Sequence, residues 1–180
     1  MEPVKPLGER LVQAGLVAVK GEEQTRSEVV AALAGTPLFD GLDAGDLDLL
    51  CNQIQVFDAQ PGVRMIDEGD PGDFLMLVLS GSIDVLHRNR NGYPSRIAVA
   101  GAGEALGEMS MFDGEPRFAA CVALEPTRVG ILPRDALTGL FDAQPALGNR
   151  VLLRLAHLLS ARLRQASDRL VSYLEAAGQP

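Results

Sequence analysis

The chain has no tryptophan, two cysteines and two histidines among its 180 residues. Cys51 and Cys121 lack metal-ligand spacing and have no histidine nearby, which argues against a metal centre and for reduced thiols. His87 and His157 are isolated and read as structural or exposed side chains. No apolar run is long enough to span a bilayer, and no basic segment with an apolar run behind it opens the chain. The expectation is therefore a cytoplasmic protein with no membrane partner. No nucleophile–base pair, metal cluster or pair of catalytic carboxylates is apparent, so neither an enzyme nor a cofactor is expected. A basic excess is missing too: the net charge of −8 argues against a general nucleic-acid binder. That charge is uneven. Residues 145–180 carry five arginines against Asp168 and Glu175, a local +3, which leaves −11 for the remainder. The arginines read as a solvated helix face.

What is present suits one globular domain with extensions, 47% hydrophobic and 22% charged. LGERLVQAGLV, within the first twenty residues, carries one half of a pattern resembling the cyclic-di-GMP-binding repeat of some secretion ATPases. Pro6 replaces the arginine of that repeat, and a short amphipathic helix is the reading preferred here. Glu22–Ala34 predicts a helix with Val29, Val30 and Leu33 on one side, stopped by Gly35 and Pro37; Asp43–Leu50 predicts another. From Ile54 to Leu132 the period becomes strand-like, with runs at 54–57, 63–66, 74–79, 83–86, 97–100, 118–124 and 129–132. Glycine, proline and aspartate turns separate them, and Asn91-Gly92 marks a hairpin. Many short, evenly spaced strands point to a β-barrel or jelly roll rather than βαβ units. The glycines of IAVAGAGEALG imitate a dinucleotide fingerprint, but Asp113-Gly114 and Pro116 break the long helix that motif needs. Pro133–Leu140 predicts a short helix, and Pro145 opens a long one running to about Ala176 before Gly178. Its leucines 152, 155, 159, 163, 170 and 174, with Ala166, form one stripe longer than a small barrel covers.

The chemistry concentrates in Leu106–Ala120, LGEMSMFDGEPRFAA. Met109–Phe112 reads as one helical turn, and the unpaired N–H groups of a helix start suit an anionic group. Gly107 lets a ligand approach the backbone, and Glu108 can accept hydrogen bonds from sugar hydroxyls. Arg117, the only basic residue from Ile97 to Thr127, can meet a phosphate with two parallel N–H bonds. The alternative is a structural turn with Arg117 paired to Asp113 or Glu115 at the surface.

Gly-Glu-Met-Ser-Met-Phe followed by Glu-Pro-Arg resembles the phosphate-binding cassette of the cyclic-nucleotide-binding domain, as in the catabolite activator protein and the regulatory subunits of cAMP-dependent protein kinase. A second stretch, Gly69–Val85, is similar to that family's glycine-aspartate turn, aromatic-led strand, glycine corner and return strand. The resemblance implies a mainly β fold with flanking helices: a β-roll or jelly-roll barrel with a long C-terminal helix. It implies that Glu108 binds a ribose 2′-hydroxyl and Arg117 the cyclic phosphate. The implied ligand set is Gly107, Glu108, Met109, Ser110, Arg117, Phe118, Arg162 and Ser167, and the ligand cAMP or cGMP. In dimeric transcription factors of this family the long helix pairs with its twin, so a homodimer is implied as well. Three positions depart from the family. Phe118 stands where a small or hydroxyl-bearing residue is usual. Ala166 and Ser167 align with a threonine-serine pair that touches adenine. The chain ends at Pro180 without the helix-turn-helix of those factors, so no direct DNA binding is expected. The resulting expectation has three parts: a helical extension over 1–36, the β-roll over 37–144 and a dimerisation helix over 145–180. Its function would be that of a sensor module passing its state to an effector protein. A degenerate barrel, acting as a dimeric adaptor without nucleotide, is the alternative.

Overall fold

The computed structural model describes residues 5–20 and 23–177, with side chains to residue 175. The expected helix start at Glu22 and the stop at Gly178 lie outside the described residues. Among the described residues six helices flank two sheets: α1 (Leu7–Gln13), α2 (Glu23–Gly35), α3 (Ala44–Cys51), α4 (Glu108–Asp113), α5 (Arg134–Ala143) and α6 (Pro145–Ala177), with a 3-10 turn at Pro37–Phe39. The strands are β1 (Val17–Ala18), β2 (Gln55–Ala59), β3 (Arg64–Ile66), β4 (Phe74–Ser80), β5 (Ser82–Arg88), β6 (Pro94–Gly101), β7 (Ala105–Leu106), β8 (Ala120–Ala123) and β9 (Thr127–Pro133). They form a five-stranded sheet, β1-β2-β9-β4-β7, and a four-stranded sheet, β3-β8-β5-β6, with antiparallel pairings throughout.

Period-2 alternation divides the interior in two. Phe74, Met76 and Val78 of β4 point into the roll, where they meet Val129 and Ile131 of β9 and Ile83, Cys121 and Ala123 of the other sheet. Leu75 and Leu77 point the opposite way, into a second cluster with Val29 and Leu33 of α2, Leu50 of α3, Leu137 of α5 and Val151 of α6. Strand β4 is thus covered on both faces. Leu11 of α1 and Leu16 join the first cluster, so the N-terminal segment packs against the roll itself. The hairpin expected at Asn91-Gly92 joins β5 to β6, with the Gly92 N–H donating to Asn89 O at 2.8 Å. Strands β1 and β7 were not expected; at two residues each they carry no readable period.

Helix α6 divides along its length. Leu147, Val151 and Leu155, four apart, pack into the helical cluster, whereas no residue from Ala156 to Glu175 is buried. Of the expected stripe, Leu155 therefore belongs to the core, while Leu152, Leu159, Leu163, Leu170 and Leu174 are exposed. Arginines of this helix turn to the body: Arg150 pairs with Asp46, Arg154 with Asp40 at 3.2 Å, and Arg162 with Glu108. They are not the purely solvated face expected. Leu77→Ala, at the junction of β4 with the helices, is expected to cost about 2–5 kcal/mol in urea-induced unfolding, through lost burial and the cavity left behind.

Candidate functional site

The segment from β7 to β8 builds the floor of a cavity between the four-stranded sheet and α6. Gly107 caps α4 with φ +80°, and a Cβ there would lie 2.2 Å from Arg117 Nη1. Only glycine allows both the turn and the close approach. Gly114, also left-handed, ends α4 where Asp113-Gly114 predicted a stop. The chain then returns to place Arg117 beneath α4.

Arg117 is 3% exposed. Its Nη1 donates to Gly107 O at 2.8 Å and its Nη2 to Phe74 O at 2.7 Å, while the guanidinium carbon sits 4.4 Å from the Phe74 ring centroid. Its backbone N–H donates to Asp70 O at 2.8 Å, and its carbonyl accepts from Gly69 N at 2.9 Å. Pairing with Asp113 or Glu115 at the surface does not occur; Asp113 Oδ1 accepts from the Glu115 N–H instead. Burial pulls the Arg117 pKa below its ordinary value, and the field of Asp73 opposes the shift. Two of five N–H donors are thus spent on neutral carbonyls, and a desolvated cation is left with capacity for an anion. Cys121 lies beside it; burial pushes that thiol up to about 12, against the lowering field of Arg117, so it stays protonated and inert at neutral pH.

Glu108 is likewise 3% exposed, and Arg162 of α6 pairs with its Oε1. Burial holds the Arg162 guanidinium below its ordinary pKa, against the pull of Glu104. Ser110 is buried with its hydroxyl donating to Pro116 O at 3.2 Å, whereas Met109 is exposed at the rim. Phe118 is 56% exposed, its ring stacked on His87 at a centroid distance of 4.3 Å and an interplanar angle of 9°. The His87 Nδ1–H donates to Phe118 O at 2.8 Å, which steers the ring toward β5.

The cavity measures about 490 Å³, within the range of small-molecule sites. Ile97 and Val99 of β6 with Val85 of β5 form an apolar wall, Glu108 and Arg117 lie at one end, and Arg162, Gln165, Ala166 and Arg169 of α6 close over it. Of the expected ligand residues, Gly107, Glu108, Met109, Ser110, Arg117, Phe118 and Arg162 all line it. Ser167 does not; its hydroxyl donates to Leu163 O at 2.9 Å on another face of α6. Gln165 and Arg169 were not anticipated, although their spacing of three and seven from Arg162 puts all three on one helix face. A larger cavity of about 670 Å³ opens between α2, α3 and β2, but its one arginine, Arg26, is engaged by Asp48 and Asn52.

Comparison with known proteins agrees with this geometry. A family profile described as the cyclic nucleotide-binding domain matches residues 57–144. A cyclic nucleotide-binding domain from Methylobacillus flagellatus superposes with a TM-score of 0.77 at 40% identity, covering 88% of this chain and 89% of that one. The chain belongs to the cyclic nucleotide-binding domain family. The cyclic AMP receptor protein of Thermus thermophilus is 34% identical over 134 residues, 74% of this chain and 60% of the relative. A CRP-like cAMP-activated global transcriptional regulator of Mycobacterium tuberculosis is 28% identical over 142 residues, 79% of this chain and 62% of the relative. The chain thus spans about 60% of the length of these curated relatives. Family membership accounts for the β-roll, the flanking helices and the long final helix together.

The contact between Gly107 and Arg117 makes a direct prediction. Gly107→Ala is expected to lose about 1–3 kcal/mol in thermal unfolding, from backbone strain and displacement of Arg117. Gly101→Ala, where an added Cβ meets nothing within 4 Å, is the control and should stay within about 0.5 kcal/mol of wild type.

Proposed function

We propose that this chain is a cyclic-nucleotide sensor module, regulatory rather than catalytic, whose ligand is cAMP or cGMP. The observation that carries the reading is the buried Arg117 guanidinium, held by two carbonyls and no carboxylate, at the end of a cavity it shares with Glu108. A cyclic phosphate supplies the anion that a desolvated arginine lacks, and the apolar wall of β6 and β5 suits the flat face of a purine. The similarity to the Thermus cyclic AMP receptor protein and the cAMP-activated Mycobacterium regulator supports cAMP as the first nucleotide to test. Arg117→Ala is expected to abolish binding in calorimetric titration, since each charge-assisted hydrogen bond contributes roughly 1.5–3 kcal/mol. Arg117→Lys should restore little, because an ammonium lacks the planar fork. Glu108→Gln should weaken ribonucleotides more than their 2′-deoxy analogues; equal loss for both would remove Glu108 from the ribose.

Arg162 gives the ligand a route to α6. A ribose hydroxyl reaching Glu108 meets the carboxylate that now holds Arg162, so occupancy and helix position are linked. We read the exposed leucines of α6 as the seam of a parallel homodimer, with Ser167 on its flank, and the state of that helix as the signal passed to an effector protein in the cytoplasm. No contact between this segment and DNA is part of the reading. Leu163 is 69% exposed, and the surrounding leucines form an apolar stripe larger than a monomer ordinarily leaves in water. Leu159→Glu with Leu163→Glu sets like charges against their symmetry copies and should yield a folded monomer by light scattering and circular dichroism. A wild type that is already monomeric at tens of micromolar would remove the seam.

Two observations favour a second reading, a dimeric adaptor that binds no nucleotide. Glu108 is already satisfied by Arg162, and Phe118 offers the phosphate no hydroxyl. Absence of heat with both cAMP and cGMP, from a protein that remains dimeric, would decide for it.

A further inference from the structure

The irregular segment Gly69–Phe74 carries more of the site than its position before β4 suggests. Asp70 O and Gly69 N hold the Arg117 backbone, and Phe74 O holds its guanidinium. The segment has no ladder of its own before Phe74, so its place is set by what grips it from outside. On one side Arg134, the first residue of α5, donates its backbone N–H to Asp73 O at 2.8 Å and its Nη2 to Gly72 O at 2.5 Å. On the other, Arg10 of α1 pairs with the Asp73 carboxylate across 63 residues of chain. Gly72 presses so closely on α4 that an added Cβ would lie 2.1 Å from Ser110 Cβ. Three atoms of this cluster, Arg10 Nε, Asp73 Oδ1 and Arg134 Nε, are buried without a hydrogen-bond partner.

We propose that Arg10 is a positioning residue for Arg117: by occupying Asp73 it keeps that carboxylate from competing with the ligand phosphate, and so makes α1 part of the ligand site. The inference rests on the sensor reading and adds to it a role for the N-terminal helix. The electrostatics run in one direction. With Arg10 present, Asp73 is neutralised, and Arg117 remains the cation at the end of the cavity. Without Arg10, a half-buried carboxylate adjoining Phe74 is left unpaired, draws Arg117 or Arg134 toward itself and repels a phosphate. The field of Asp73 is already felt at Arg117, where it opposes the effect of burial. Leu11 and Leu16, packed inside the roll on either side of the α1 turn, keep Arg10 in place.

The test is a double-mutant cycle of charge-neutralising substitutions in the full chain, with two readouts. Arg10→Ala should weaken cAMP or cGMP binding about tenfold, the change expected from one charge-assisted hydrogen bond. Asp73→Asn alone should stay within about threefold of wild type, and the double variant should return to that range, since a neutral amide needs no cation. Equal weakening in the single Arg10→Ala and double variants would overturn the proposal and leave Arg10 a packing residue. Arg10→Gln, which keeps the stem on the roll, replaces alanine if that variant unfolds. Hydrogen exchange of the nucleotide-free protein gives the second readout. The Gly69 and Arg117 amides should exchange several-fold faster in Arg10→Ala and recover in the double variant. Faster exchange confined to α1 would overturn the proposal too. If wild type binds no nucleotide, the sensor reading fails by itself, and the exchange experiment still decides the role of Arg10.

Discussion

Everything at the site follows from placing one guanidinium out of water without a carboxylate to neutralise it. Burial disfavours the charged form, and the arginine nevertheless stays charged because carbonyl dipoles and an aromatic face surround it. Supplying those partners dictates local structure on both sides. Gly107 must be glycine so that its carbonyl reaches Arg117 without a Cβ in the way, and Phe74 must open β4 so that its carbonyl and ring both meet the cation. A guanidinium gripped in this way is pre-organised, with its remaining donors fixed in direction.

The two sheets make that placement rigid. Strand β4 is covered by the roll on one face and by helices on the other, so the residue at its start has little freedom to move. The cassette hangs between β7, which pairs with β4, and β8, which pairs with β5 and β3. Arg117 thus draws on both sheets, and distortion of either reaches it.

Helix α6 answers the charge asymmetry of the chain. A basic helix laid on an acidic body forms ion pairs at Asp46, Asp40 and Glu108 in succession, and the last of these is inside the cavity. The pairs with Asp46 and Asp40 are partly solvated and contribute modestly. The pair at Glu108 differs in lying inside the cavity, although its carboxylate is buried like that of Asp46. Beyond Leu155 no described residue of the helix is buried, Leu158 and Ala161 are partly covered, and Arg162, Gln165 and Arg169 reach the cavity.

The amino-acid sequence by itself determined most of the elements and singled out Arg117. Strand and helix periods, glycine and proline punctuation and the lone arginine between Ile97 and Thr127 are local features, and local features are legible because a side chain's preference for turn, strand or helix acts within a few residues. Tertiary structure decided the rest. Two-residue strands such as β1 and β7 have no period to read and exist only because a neighbour offers its edge. Arg162 meets Glu108 across 54 residues and Arg10 meets Asp73 across 63, pairings no local pattern specifies. Ser167 was placed at the site by alignment and lies outside it. The packing of Leu147, Val151 and Leu155 sets the rotation of α6, and that rotation turns Arg162, Gln165 and Arg169 inward and carries Ser167 away.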